Sequence, residues 1–300
     1  MNDTNVQFDD LQSSARVLAD LATGLEELTP EVRKAAAYVL EHPNDVGVSS
    51  IREIAEAAHV KPNTFVRMAR TFGFEGYDDF REPFRDEIRR GVTTFPDRAR
   101  WLQSLSRGGQ FGKLYADMAA SAISNIEETF ASTDAAAIKA AADAIVQARQ
   151  AFILGVGVNQ ALARNFAYIA DMAVDNITAI PRDGSLAVDD ISRANSNDLL
   201  IALTFKPYRN DVLEAVDLAR ALGVTVVGIS DSPASPIVAG SQHGFVVQTE
   251  TPQFFTSTFA AGALLETLMA FVVAQAGENV AANIEQFHQR RHDLGIYEDE

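Results

Sequence analysis

Apolar positions follow two different patterns along this chain. Over the first ninety residues they recur at helical spacing, and from Ala151 onward they form short continuous runs. Phe8, Leu11, Val17, Leu18, Leu21, Leu25 and Leu28 are loosely helical and predict a helix or partly ordered arm over 7–28. Thr29-Pro30 opens the next helix, with Thr able to cap exposed amides and Pro suited to the first helical position. Val32, Ala35, Ala36, Val39 and Leu40 form its apolar stripe, and His42-Pro43-Asn44 ends it. Ser50 and Glu53 then make a capping box ahead of Ile51, Ile54, Ala55 and Ala58, one buried face. Another helix starts at Pro62 and buries Phe65, Ala69 and Phe72. Gly73 closes it as a left-handed cap.

The turn between these last two helices is His59-Val60-Lys61, the length that a helix-turn-helix requires. Asn63, Thr64, Arg67 and Arg70 fall on the side away from the apolar face or at the exposed helix start. Arg suits guanine, Asn suits adenine, Thr suits either or a thymine methyl, and Lys61 suits a phosphate. These five are the candidate DNA contacts; the bland reading is a surface helix pair. A net charge of −16 opposes nucleic acid only on average. Residues 1–29 hold one Arg and six acids, whereas 57–74 hold Lys61, Arg67 and Arg70 with no acid. A local basic face is what specific DNA binding needs.

Residues 91–110 carry Gly, Pro and Ser clusters and read as a linker, stiffened by Trp101 and Leu102. Two Ala-rich helices follow over 111–131 and 134–149, suited to close packing on the next domain or to a dimer seam. Then strands alternate with helices. AFILGVG, ITAIP, DLLIALTF, VTVVGIS and GFVVQT are five strands. Asn159–Asp175, Asn210–Leu222 and Thr256–Gln275 are helices, and a tail helix spans 281–300. That alternation predicts a parallel sheet covered on both faces, with a ligand at the carboxyl ends of its strands. The domains expected are an arm at 1–27, a DNA-binding domain at 28–90, the linker, and an α/β domain with its preceding helices at 111–280.

Two strand ends carry the candidate ligand contacts. Gly155, Val156, Gly157 and Asn159 lead into one helix, and Thr204, Lys206, Tyr208 and Arg209 lead into another. The first has Gln160 where a dinucleotide fingerprint continues and lacks the acidic ribose partner, so no cofactor is expected. Lys206 and Arg209 suit a carboxylate or phosphate; the competing reading is that Phe205 and Pro207 close the loop while both cations are solvated. Arg182-Asp183-Gly184-Ser185 is a weaker candidate for the same cleft.

The first region is similar to the DNA-binding domain of the RpiR/MurR-type bacterial regulators. That pattern runs I-x-x-I/L-A, A-x-V, T-V/F-x-R, then G-F/Y-x-G-F/Y. It is met by Ile51/Ile54/Ala55, Ala58/Val60, Thr64/Phe65/Arg67 and Gly73/Phe74/Gly76/Tyr77, with Phe80 beyond. Lys61 departs from it, where those regulators carry a capping polar residue. Residues 135–275 resemble the sugar isomerase (SIS) domain that follows in such regulators. The resemblance implies an all-α helix-turn-helix domain followed by a three-layer α/β SIS domain with a five-stranded parallel sheet. It also places Thr256 and Ser257 beside the ligand. SIS loops usually read G-S-G-x-S and S-x-S-G-x-T. Those hydroxyls hold a sugar phosphate; here the loops carry Val156, Val158, Phe205 and Lys206, the first has no serine, and only Thr204 keeps a hydroxyl in register.

The expected partners are therefore a double-stranded DNA operator, a small anionic or sugar-related effector, and a second copy in a dimer or tetramer. The alternative is a sugar-phosphate isomerase, for which Glu266 and His243 are the candidate bases. His288 and His292 have metal-ligand spacing but no third ligand in sequence, and a solvated tail helix is the expectation. Cysteine is absent, which fits a reducing compartment, and no apolar run reaches the ~18 residues of a membrane helix. A cytoplasmic regulator without enzyme activity is the resulting expectation.

Overall fold

The computed structural model describes residues 14–89, 95–107 and 109–296. Phe8 and Leu11 of the expected arm lie outside them. The chain forms two compact units, residues 1–121 with 250–256, and residues 122–249 with 257–300.

The first unit is helical. α1 (Ser14–Gly24) ends in a 3-10 turn at Leu25–Glu27, so the expected helix to Leu28 breaks early. α2 (Pro30–Glu41) begins as predicted, although Thr29 makes no side-chain cap. Pro43 ends α2 and itself opens α3 (Pro43–Val48), a short helix the sequence pattern did not predict. α4 (Ile51–Ala57) carries the capping box: Glu53 N donates to Ser50 Oγ at 3.3 Å and Ser50 N donates to Glu53 Oε2 at 2.8 Å. α5 (Pro62–Thr71) and α6 (Tyr77–Arg89) follow. Val32, Ala35, Ala36, Val39, Ile54, Phe65, Met68, Ala69, Phe80 and Phe84 form one buried core. Each helix contributes the stripe its 3.6-residue period defines.

The expected linker holds a helix, α7 (Phe95–Arg107), whose Trp101 and Leu105 bury against Val48. Residues 250–256 pack with this unit: the Arg98 guanidinium donates to the Thr251 carbonyl, and the Phe95 and Phe255 rings lie 4.8 Å apart. α8 (Phe111–Ser132) contributes to both units.

The second unit is a five-stranded parallel sheet, β1 (Ala151–Gly155), β2 (Ile177–Ile180), β3 (Leu199–Leu203), β4 (Thr225–Ser230) and β5 (His243–Val246), in the order β2-β1-β3-β4-β5. Alternate residues face opposite ways, and both faces are buried. Ile153, Ile201, Leu203, Val227 and Ile229 pack under α9 (Ala135–Gln147), α10 (Asn159–Ala170) and α13 (Phe259–Gln275). Leu154, Leu200, Ala202 and Val226 pack under α11 (Ala187–Ile191) and α12 (Asn210–Ala221). Asp134 caps α9 by accepting from Ala136 N at 2.9 Å, and α14 (Asn279–Asp293) is the tail helix. α10 leaves β1 toward one face and α12 leaves β3 toward the other, so the order reverses between these two strands. That reversal opens the crevice where doubly wound sheets bind ligands.

Candidate DNA-reading surface and effector crevice

Both helices of the α4–α5 pair stop in the same way. His59 N donates to Glu56 O at 3.1 Å and Val60 N to Ala55 O at 2.9 Å. After α5, Gly73 N donates to Arg70 O at 3.2 Å and Phe74 N to Ala69 O at 3.0 Å. These are paired Schellman closures, each needing a left-handed residue. Gly73 takes φ +88° without penalty, whereas His59 holds φ +54° with a side chain. His59→Gly is therefore expected to raise stability by about 0.5–1 kcal/mol, and His59→Val to lower it, read as urea unfolding midpoints.

On α5, Lys61, Asn63, Arg67 and Arg70 are exposed. Thr64 corrects the sequence expectation: it is 8% exposed, packed beside Phe65, and supports the helix instead of facing outward. Arg70 commits its Nε to the Glu75 carbonyl at 3.2 Å, which leaves the rest of its guanidinium on the surface. Lys61 makes no side-chain cap, because its ammonium has no acceptor to offer the exposed amides.

In the crevice, Gly155 is required by close approach: a Cβ there would stand 2.3 Å from the Asn159 carbonyl oxygen. Gly157 has φ +59° and turns the chain into α10. Val156 is half-buried, and Asn159 is 5% exposed with its Oδ1 lacking a hydrogen-bond partner. Across the reversal, Thr204 is buried and occupied: its Oγ1 accepts from Arg209 N at 3.2 Å and its carbonyl from Ser230 Oγ at 2.6 Å. This hydroxyl, a candidate ligand contact, braces the loop by accepting from Arg209 N. Phe205 is buried, Lys206 is exposed and Tyr208 is half-buried.

Arg209 forks onto Asp211, Nε–Oδ1 3.2 Å and Nη2–Oδ2 2.7 Å. The bond from Arg209 holds the Asp211 carboxyl below its ordinary value, and Asp211 raises Arg209 in turn. Arg209 is thus already paired, unlike the open cation the sequence suggested. Ser257 is buried and accepts from Phe259 N at 3.5 Å. Thr256 belongs to the segment packed with the first unit, so the two neighbouring hydroxyls fall in different units. α13 accordingly begins at Phe259, three residues later than predicted.

The loop after β2 is organised by a residue that the sequence did not single out. Asp190 is buried and accepts from Arg182 N at 2.9 Å, Arg182 Nε at 2.7 Å, Arg182 Nη2 at 2.6 Å and Ser185 Oγ at 2.7 Å. Burial alone would raise its pKa, but these bonds together hold it below the ordinary carboxylate value. A depressed folded-state value gives stability that is present above the unfolded value and lost as the pH falls through the folded one. Asp190→Asn is expected to destabilise by about 1–3 kcal/mol at neutral pH. The gap should close as the pH falls below the ordinary carboxylate range, read as thermal midpoints of both proteins against pH.

The candidate bases are placed apart from the crevice edge. His243 pairs with Val227 while the last rung is Ser230 with Val246, about 10 Å along the strand. Burial lowers its pKa. Glu266 lies on α13 beside Leu162, Asn165 and Phe166 of α10, lining a cavity of about 80 Å³. Among the described residues no three His, Cys, Asp or Glu form a metal cluster, and no single helix is long and apolar enough to cross a membrane.

The sequence pattern described as "Helix-turn-helix domain, rpiR family" matches residues 15–90, and that of the SIS domain matches residues 144–274. The chain belongs to the RpiR family of transcriptional regulators. Among its relatives, the HTH-type transcriptional regulator HexR of Pseudomonas aeruginosa is 24% identical over 228 residues, 75% of this chain and 76% of that one. An uncharacterised HTH-type regulator of Haemophilus influenzae is 24% identical over 289 residues, covering 92% and 96%. Of solved structures, the Vibrio vulnificus NanR protein complexed with ManNAc-6P superposes with TM-score 0.55 at 22% identity, covering 93% of this regulator and 98% of NanR. The sugar isomerase domain of an RpiR transcription factor from Sphaerobacter thermophilus gives TM-score 0.56 at 23% identity, covering 59% and 99%. The regulator thus has the SIS fold with its five-stranded parallel sheet behind an rpiR-type helix-turn-helix.

Proposed function

We propose that this RpiR-family regulator reads an operator through α5 and that a small anionic, sugar-related metabolite in the β1–β3 crevice changes its operator affinity. The observation that carries the reading is the exposed set Lys61, Asn63, Arg67 and Arg70 on the second helix of a closed helix-turn-helix. Lys61 and Arg70 serve phosphates, and Asn63 and Arg67 reach base edges. Residues 28–90 act as the DNA-binding domain, 91–110 as a helical connector, and 111–280 as the effector domain with its preceding helices.

For the effector, the Gly155–Gly157 loop and Asn159 supply backbone and amide groups at the start of a twelve-residue helix, where anions are favoured. Lys206 and Tyr208 follow β3, Ser257 precedes α13, and Arg209 contributes once released from Asp211. NanR, which shares the two-unit fold, was solved with a phosphorylated amino sugar, which supports a sugar phosphate as the class to try first. The regulator acts as a homo-oligomer on a two-fold operator, as helix-turn-helix proteins of this geometry do.

The test is a gel shift at fixed salt on DNA flanking the gene, with and without a panel of sugar phosphates and their unphosphorylated sugars. A sequence-specific shift altered only by phosphorylated members supports the reading. The absence of any specific shift would sink its DNA half, and an operator complex indifferent to every member would sink its effector half.

A further inference from the structure

We propose that Arg81, which is buried in α6 and does not face outward, is a positioning residue for DNA reading, fixing the start of α4 relative to α5. This rests on the DNA-binding reading above.

Arg81 is 7% exposed. Its Nη2 donates to the Gly47 carbonyl at 3.2 Å and to the Ser49 carbonyl at 2.9 Å. These are the closing carbonyls of α3, groups that a helix end leaves unpaired and partially negative. Ser49 is followed directly by Ser50, the cap of α4. The carboxylate paired with Arg81, Asp78, is 3.8 Å away and its side chain is 92% exposed, so it compensates little of the buried charge. Arg85, one turn along, is also buried and is held by Glu82 at 2.6 Å. Desolvation pulls the Arg81 pKa below its ordinary value, with the Arg85 charge acting the same way.

The other side of Arg81 leads to α5. Its guanidinium lies 5.7 Å from the centre of the Tyr77 ring. That ring meets Phe65 of α5 edge-on at 5.6 Å. Phe65 is fully buried on the face opposite the exposed Arg67. One side chain therefore bridges the entry of the first helix and, through one ring, the inner face of the second. A well-packed apolar residue at such a place gives equal or greater stability, because burying a cation carries a desolvation cost. What the guanidinium adds is direction: two carbonyls and a ring face fix its plane.

The test uses the full-length protein and a duplex that the wild type selects from a random library. Arg81→Met keeps the apolar volume and removes the carbonyl bonds; Arg81→Lys keeps the charge and loses the planar fork. Folding of both is checked by circular dichroism at the assay temperature. We expect folded Arg81→Met to bind about tenfold more weakly, the scale of one well-placed contact. Its slope of log K against log salt should match the wild type, because no phosphate contact is lost, whereas Arg67→Ala or Lys61→Ala should change affinity through direct contact. Arg81→Lys should be intermediate, and it decides the matter if the Met variant does not fold. Wild-type affinity in a folded variant would leave Arg81 a stability residue only, and a salt slope reduced by about one would make it a phosphate contact; either overturns the proposal. A wild type that selects no sequence would instead refute the DNA-binding reading itself.

Discussion

Arg67→Ala is expected to weaken operator binding by about 1–3 kcal/mol, roughly 5- to 150-fold, while the fold is kept. Arg67 is exposed on α5, one turn from Asn63 and on the face opposite Phe65, Met68 and Ala69, which are fully buried. Truncating an exposed side chain away from the core changes stability by at most about 0.5 kcal/mol, so lost affinity will not reflect unfolding. If Arg67 reads a base, the loss will be confined to one operator position and the variant will tolerate substitutions there. If it touches only phosphate, all sequences will weaken together and the salt slope will drop by about one. Binding isotherms on the selected duplex and its single-base variants, at two salt concentrations, separate these outcomes. Unchanged affinity on every duplex would remove Arg67 from the interface.

Asn159→Leu should move stability and effector response in opposite directions. Asn159 is 95% buried by its 5% exposure, and its Oδ1 has no hydrogen-bond partner. An unsatisfied buried acceptor costs about 1–3 kcal/mol, and an apolar group of similar shape removes that cost. The variant without effector is thus expected to melt several degrees higher, by about 2–4 °C per kcal/mol in a protein of this size. The same substitution deletes the amide that we propose meets the ligand. The thermal shift given by the active sugar phosphate, and its effect on the gel shift, should fall to background. A retained effector shift would show that Asn159 does not meet the ligand, and a lower melting point would show that its amide is satisfied in solution.

Much of this regulator was legible in the chain because the deciding interactions are local. The Ser50–Glu53 capping box, the closure at Gly73, and the start of α5 at Pro62 each depend on groups within a few residues, and all occur as expected. The five buried runs from Ala151 onward likewise define five strands, since nothing but a sheet covered on both faces accommodates them. Where Pro43 stood, the same local rule cut both ways: a residue that ends one helix is also a preferred first residue of the next, and α3 went unseen. Other features follow from packing partners far away in sequence. Thr64 is buried because α5 packs against α2, α4 and α6 together, so more of its circumference is covered than one apolar stripe suggests. Arg81 and Asp190 read as ordinary surface charges until the carbonyls of Gly47 and Ser49, or the guanidinium of Arg182, are brought beside them. The strand order β2-β1-β3 makes neighbours of the loops at Gly155 and Thr204, forty-nine residues apart. Sequence alone thus determined the type of most elements and the boundaries that local caps and turns signal, but not α3, the helix within the linker or the start of α13. The tertiary structure decided which polar groups hold loops, as Thr204 and Arg209 do, and which, like the side-chain Oδ1 of Asn159, are left without a hydrogen-bond partner, because hydrogen-bond satisfaction depends on atoms the chain brings together only on folding.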